Sequence, residues 1–197
     1  MSIPSSAVRR TQSQRSESTR GALIASARAL FARHGYHATP AELVVQEAAV
    51  TSGALYHHFA DKRELFRAVF EAVERDLAAR VLSAALTGLD PWARLENGVA
   101  EYLRACSDPE VRAIVLVDGP SVLGWEEWRA ADAAHHLRPL AAALAGAMRT
   151  GLIQRRPALP LARVLIGALA AAGLAAGEEG EAAADSAFWL LGRLRED

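Results

Sequence analysis

The sequence predicts an all-α protein in which a small three-helix head carries a helix-turn-helix and a larger helical body follows. Three observations point there. Apolar residues recur at helical spacing through most of the chain, glycine and proline are sparse outside recognisable punctuation, and alanine and leucine dominate a hydrophobic fraction of 51%. At 197 residues the chain can bury a core unaided. The single cysteine, Cys106, excludes an intrachain disulfide and reads as a small buried hydrophobe, which fits a cytoplasmic protein. No apolar stretch of signal-peptide length opens the chain, and the longest apolar run, Val164 to Ala176, falls short of a membrane span, so no membrane partner is expected.

Residues 1–17 are rich in Ser, Arg and Gln without apolar periodicity, and read as a flexible basic arm. A first helix is expected from about Ser18, with Leu23, Ala27, Leu30 and Phe31 on one face and Gly35 as its stop. Thr39 suits an N-cap, Pro40 the first helical position, and Glu42 could close a capping box, so a second helix should run from Pro40 to about Ala48. Thr51 can cap a third, whose Leu55 and Phe59 share a face. A connection of about three residues between these two is the length of a helix-turn-helix.

Residues 18–63 thus form the head and residues 64–197 the body. Asp61 and Glu64 predict the cap of a long helix striped by Leu65, Phe66, Val69, Phe70, Val73, Leu77 and Val81. A further helix is expected from Pro91 to about Ser107, and Val111 to Val117, though rich in β-branched residues, reads as a buried helix because a lone strand would have no partner. Asp118-Gly119-Pro120 should break it. Helices then follow over about Trp125 to Gly151, Leu159 to Ala176 and Ala182 to Arg195.

The net charge of −1 hides an asymmetry. Residues 1–63 hold eight basic and four acidic residues, a balance of +4, which leaves fourteen basic and nineteen acidic residues, or −5, for the rest. A basic head on an acidic body suits a protein whose head alone meets phosphates.

The run Val50-Thr51-Ser52-Gly53-Ala54-Leu55-Tyr56-His57-His58-Phe59, followed by Lys62 and Leu65, resembles the DNA-binding signature of the TetR family of transcriptional repressors. Ala27, Leu30-Phe31, Gly35-Tyr36 and Thr39 match the upstream part of that signature, and the resemblance covers residues 18 to 75. Two positions depart from it: the turn, usually Ala-Gly, is Ala48-Ala49, and the usual Ile-Ala pair is Val44-Val45. If the turn needs a positive φ, Ala49 costs about 1 to 2 kcal/mol that glycine would not.

The resemblance implies a homodimeric repressor that binds a pseudo-palindromic double-stranded DNA operator and is released by a small hydrophobic or aromatic effector. It assigns Thr39, Tyr56 and Lys62 to phosphates and Thr51, Ser52, Gly53 and His57 to base edges. Relatives often carry Arg or Lys at the position of Ser52, and its short side chain implies reading by water or close backbone approach. For the effector, the aromatic and polar groups of mid-chain are the candidates: Trp92, Tyr102, Asp118, Trp125, Trp128, His135 and Met148. The helix from Leu159 is apolar on nearly every face and so needs two covers. Dimerisation through the last two helices would provide one, with Val164, Ile166, Gly167, Gly173, Phe188, Trp189 and Leu191 at the interface.

No catalytic residues are predicted: the sequence shows no Gly-rich phosphate loop, nucleophile elbow or paired carboxylates. Neither a cofactor nor a metal is expected, since adjacent histidines such as His57-His58 and His135-His136 point about 100° apart and no carboxylate or cysteine keeps ligand spacing with them. The competing readings are an all-helical enzyme with a structural head and a protein-binding adaptor.

Overall fold

The computed structural model describes residues 12–179 and 181–195. Among them no strand is present, and an isolated bridge between Ile153 and Arg195 is the one β-type pairing. Helix α1 (Gln12–His34) already runs through residues 12–17, so that part of the expected arm is helical; residues 1–11 lie outside the described residues. Leu23, Ala27, Leu30 and Phe31 are buried as their spacing requires, and Gly35, at φ 77°, closes the helix by donating its amide to the Phe31 carbonyl.

Helices α2 (Ala41–Glu47) and α3 (Ser52–His58) form the helix-turn-helix. The capping box at Thr39 does not form. Pro40 occupies the N-cap without a side-chain bond, because the Thr39 hydroxyl turns inward and donates to the Gly35 carbonyl at 2.8 Å. At α3 the expected cap is present, with Thr51 Oγ1 accepting from the Ala54 amide. Ala49, in the turn, has φ 52°. Its left-handed conformation is costly for any residue with a Cβ, so the turn geometry is imposed on an unfavourable residue.

Helix α4 (Lys62–Leu86) links head and body. Asp61 accepts the Glu64 amide and Glu64 reaches back to the Ala60 amide, a reciprocal cap that fixes where the linking helix starts. Its stripe buries Leu65, Phe66, Val69, Phe70, Val73 and Leu77. Phe66 joins Phe31 and Tyr36, with ring centroids 5.2 to 5.7 Å apart, so the small core of the head is completed by a residue of the linking helix. Burying the Phe31 and Phe66 rings, both fully covered, stabilises the fold by about 1.5 to 3 kcal/mol each.

The body adds α5 (Pro91–Cys106), capped by Asp90, then α6 (Pro109–Val111), a π-helical turn over Arg112–Asp118, and α7 (Gly119–Leu123). The buried helix expected over Val111 to Val117 is therefore present, but in widened form, and Asp118-Gly119-Pro120 does not break it. The wider turn absorbs Pro120, which has no amide to give, and leaves the Val115 carbonyl to accept the Trp128 indole N–H at 2.8 Å. Gly119 is required at this point, since a Cβ would lie 2.8 Å from the Trp128 ring and 3.0 Å from Phe70. The break comes at Gly124, φ 85°, before α8 (Trp125–Arg149). Helices α9 (Ala158–Glu179) and α10 (Glu181–Gly192) complete the body.

Over Ala158–Ala175, α9 has a mean hydropathy of 1.9 across 18 residues and is long and apolar enough to cross a membrane, contrary to the estimate from Val164 to Ala176 alone. Only 22% of that stretch is buried within the chain.

Candidate nucleic-acid interface and interior cavity

Helix α3 is held by Leu55 and Phe59, both buried, the latter beneath the Arg20 guanidinium at 5.2 Å. Its opposite face presents Thr51, Ser52, Gly53, Tyr56 and His57 to solvent, with Tyr56 57% exposed. Around Gly53 the nearest atom to an added Cβ would be Thr51 Oγ1 at 3.9 Å, so the backbone there is open to close approach.

Two residues expected at phosphates are placed otherwise. Thr39 is fully buried. Lys62 Nζ donates to the carbonyls of Tyr36 and Thr39 at 3.0 and 3.1 Å and lies 4.1 Å from the centre of the Tyr36 ring. Both side chains are engaged within the protein, where they tie the start of α4 to the segment leading into α2.

The basic count of the head also misleads. Arg28 makes a bidentate pair with Glu110 and a further bond to Asp76, which raise its already high pKa, and Arg63 donates to the carbonyls of Val122 and Leu123 and pairs with Glu127 at 2.6 Å. These cations join head to body. Sequence charge could not reveal this, because the partners lie 48 to 82 residues away.

In the body, α4, α5, α8 and α9 line a half-open cavity of about 400 Å³. Val81, Leu82, Leu95, Val99, Leu140 and Leu169 give it apolar walls, and Arg94, Tyr102, His135 and His136 supply its polar edge. Of the seven residues expected to bind an effector, Tyr102 and His135 line this cavity. Trp92 packs beneath Arg195, Asp118 accepts the Tyr36 amide, Trp128 bonds to Val115, Met148 is buried elsewhere and Trp125 is 63% exposed.

Beside the cavity lies a buried cluster that the sequence reading missed. His136 Nε2 is 2.8 Å from Glu74 Oε2, Tyr102 meets the His136 ring edge-on, and Asp132 lies one turn before His136 on α8. Burial and the Glu74 charge push the Asp132 carboxyl up to about 6, against the opposing effect of His136. Burial opposes protonation of His136, but the Glu74 hydrogen bond and the two carboxylate charges raise its pKa overall. The spacing of four between Asp132 and His136 was available as a signal. Glu74, within an apolar stripe of another helix, gave none.

At the expected subunit interface the residues divide. Val164 and Trp189 are 69% and 65% exposed, Gly167 faces open space and Phe188 is half-buried. Leu191 is buried, Ile166 edges the cavity, and Gly173 packs against Cys106, where a Cβ would approach the sulfur to 2.7 Å. Gly173 thus serves close packing inside the chain rather than against a second copy.

A family model described as "Bacterial regulatory proteins, tetR family" matches residues 23–69, and one described as "Tetracyclin repressor-like, C-terminal domain" matches residues 92–196. The chain belongs to the TetR family of transcriptional regulators. A crystal structure of a TetR-family transcriptional regulator from Pectobacterium atrosepticum superposes with a TM-score of 0.82 at 31% identity, covering 95% of this chain and 99% of that one. Among curated proteins, the transposon Tn10 TetC protein of Escherichia coli is 32% identical over 117 residues, 59% of this chain and 58% of that protein. The transcriptional repressor KstR2 of Mycobacterium tuberculosis is 30% identical over 101 residues, 51% of this chain and 50% of its own length. The chain spans about half the length of these curated relatives. RolR solved with resorcinol shares the fold, with a TM-score of 0.75 at 20% identity over 93% of this chain and 90% of that one.

Proposed function

We propose that this TetR-family chain is a cytoplasmic, homodimeric repressor that reads a pseudo-palindromic operator and releases it when a small, largely apolar effector enters the body cavity. The observation that carries the reading is the face of α3 on which Thr51, Ser52, Gly53, Tyr56 and His57 are all exposed to solvent. Tyr56 donates its hydroxyl to a phosphate, and Thr51, Ser52 and His57 meet base edges, with the backbone at Gly53 pressed close. Thr39 and Lys62 act as positioning residues, holding the helix-turn-helix on the linking helix. A second copy covers Val164, Gly167, Phe188 and Trp189, so that two α3 helices face successive major grooves.

Effector release is supported by the placement of the cavity against α4, whose first residues are Lys62 and Arg63. A ligand that favours one tilt of α4 over the other moves the head by that difference in affinity and by nothing else. The apolar walls and the edge formed by Tyr102 and His135 suit an aromatic or aliphatic molecule with one polar group.

The test is a mobility shift on the DNA upstream of the chain's own gene, across a salt series, with and without candidate aromatic ligands. Retarded DNA that weakens with salt and is released by ligand supports the reading. A protein that retards no DNA at low salt is instead an adaptor, and one that turns over a bound ligand is an enzyme.

A further inference from the structure

The Glu74, Asp132 and His136 cluster lies away from α3 and stands beside the apolar cavity of the body. Glu74 is completely buried, and among the described residues its Oε1 has no hydrogen-bond partner. A buried carboxylate oxygen left in this way is destabilising unless a cation or donor meets it. Pairing with His136 satisfies Oε2 alone, and Asp132, 4% exposed, brings a second carboxylate into the same space.

We propose that Glu74, Asp132 and His136 form a binding site for a divalent transition-metal ion, such as Zn²⁺. One ligand atom from each residue can be chosen so that all three lie within 4.8 Å of one another. Three ligands about 2.1 Å from a tetrahedral ion stand about 3.4 Å apart, so the metal would part Glu74 from His136 by about half an ångström and draw Asp132 in. One imidazole nitrogen and two carboxylate oxygens make the donor set of a borderline cation such as zinc, cobalt or nickel rather than of calcium, which takes six to eight oxygens. Asp132 and His136, four apart on α8, project from one face, and Glu74 meets them from α4, so the ion would join the linking helix to the body. His136 also lines the cavity, which gives the ion a path from solvent. An ordinary ion pair between Glu74 and His136 accounts for neither Asp132 nor the unpaired oxygen.

The experiment uses the full chain freed of metal by chelation, titrated with Co²⁺ at pH 7.5 by calorimetry and by visible absorption. The expected result is one equivalent per chain with d–d bands of a nitrogen-and-oxygen site, at least about 100-fold weaker in Asp132→Asn and in His136→Gln. Zn²⁺ should displace the Co²⁺ and abolish the bands. Asp132→Asn retains volume and removes a buried charge, so it tests the site even if the His136 variant fails to fold; circular dichroism verifies each variant. Wild-type protein that takes up no Co²⁺, or that binds it no more tightly than Asp132→Asn, overturns the proposal. Neither result bears on DNA binding, which is measured separately.

Discussion

The Asp118 carboxylate accepts the backbone amide of Tyr36 at 2.7 Å, joining the end of the π-helical turn to the turn that closes α1. Asp118 is 8% exposed, so the bond is made largely out of water. Asp118→Ala should lower stability by about 1 to 3 kcal/mol, because the amide loses a charged acceptor. Asp118→Asn, which can still accept, should recover most of it. Urea denaturation of both variants measures the difference; equal loss in the two would show that the charge matters and the hydrogen bond does not.

Ala49 holds φ 52° in the helix-turn-helix turn. Ala49→Gly relieves the left-handed penalty but loses more chain entropy on folding, for a net gain of about 1 kcal/mol. A higher urea midpoint with an unchanged slope is expected, and a lower midpoint would mean that the alanine methyl contributes packing worth more than the strain.

Tyr56 and Lys62 should separate by assay. Tyr56→Phe ought to weaken operator binding by about 3- to 10-fold with unchanged melting temperature, since an exposed hydroxyl is removed. Lys62→Ala should lower the melting temperature as well, because two carbonyls and the Tyr36 ring lose their cation. A Lys62 variant as stable as the wild type, but with a salt slope reduced by about one unit, would restore the lysine to a phosphate.

These contrasts show where the sequence was informative. The end of α1 and the starts of α3 and α4 could be placed because their stops and caps are local: Gly35, Thr51 and Asp61 each act within four residues. The α2 cap could not, because the Thr39 hydroxyl has two possible partners and the folded turn gives it the Gly35 carbonyl. The π-helical turn was illegible for a similar reason, its widening being supported by Trp128 and Pro120 together. Aromatic content was a poor guide to the cavity. Trp92, Trp125 and Trp128 pack or face solvent, whereas aliphatic residues of α4, α5, α8 and α9, with no distinguishing mark in the sequence, line the space.

Burial pushes the Cys106 thiol up to about 12, with the Tyr102 hydrogen bond opposing the shift. At pH 8 it should resist a thiol reagent in the native protein and react at once in urea. Gly173→Ala drives a methyl toward the same sulfur and should cost about 1 to 3 kcal/mol, read as a drop in urea midpoint. Rapid labelling of native protein would show that α9 opens away from α5.

Val164→Arg places a charge on the exposed face of α9 and should leave a folded monomer by analytical ultracentrifugation, with operator affinity lost to the same degree as dimerisation. A dimer that persists with this substitution would move the interface elsewhere.

In the proposed dimer, helix α9 also bears on the life of the chain before it pairs. An 18-residue stretch with the hydropathy of a membrane span, mostly uncovered by its own chain, would make each unpaired copy a target for chaperones, proteases and lipid surfaces. Pairing is second order in concentration, so survival of newly made chains rises with how many are made together. Cellular abundance of this regulator should therefore depend more steeply on its rate of synthesis than that of a protein whose helices are covered from the start.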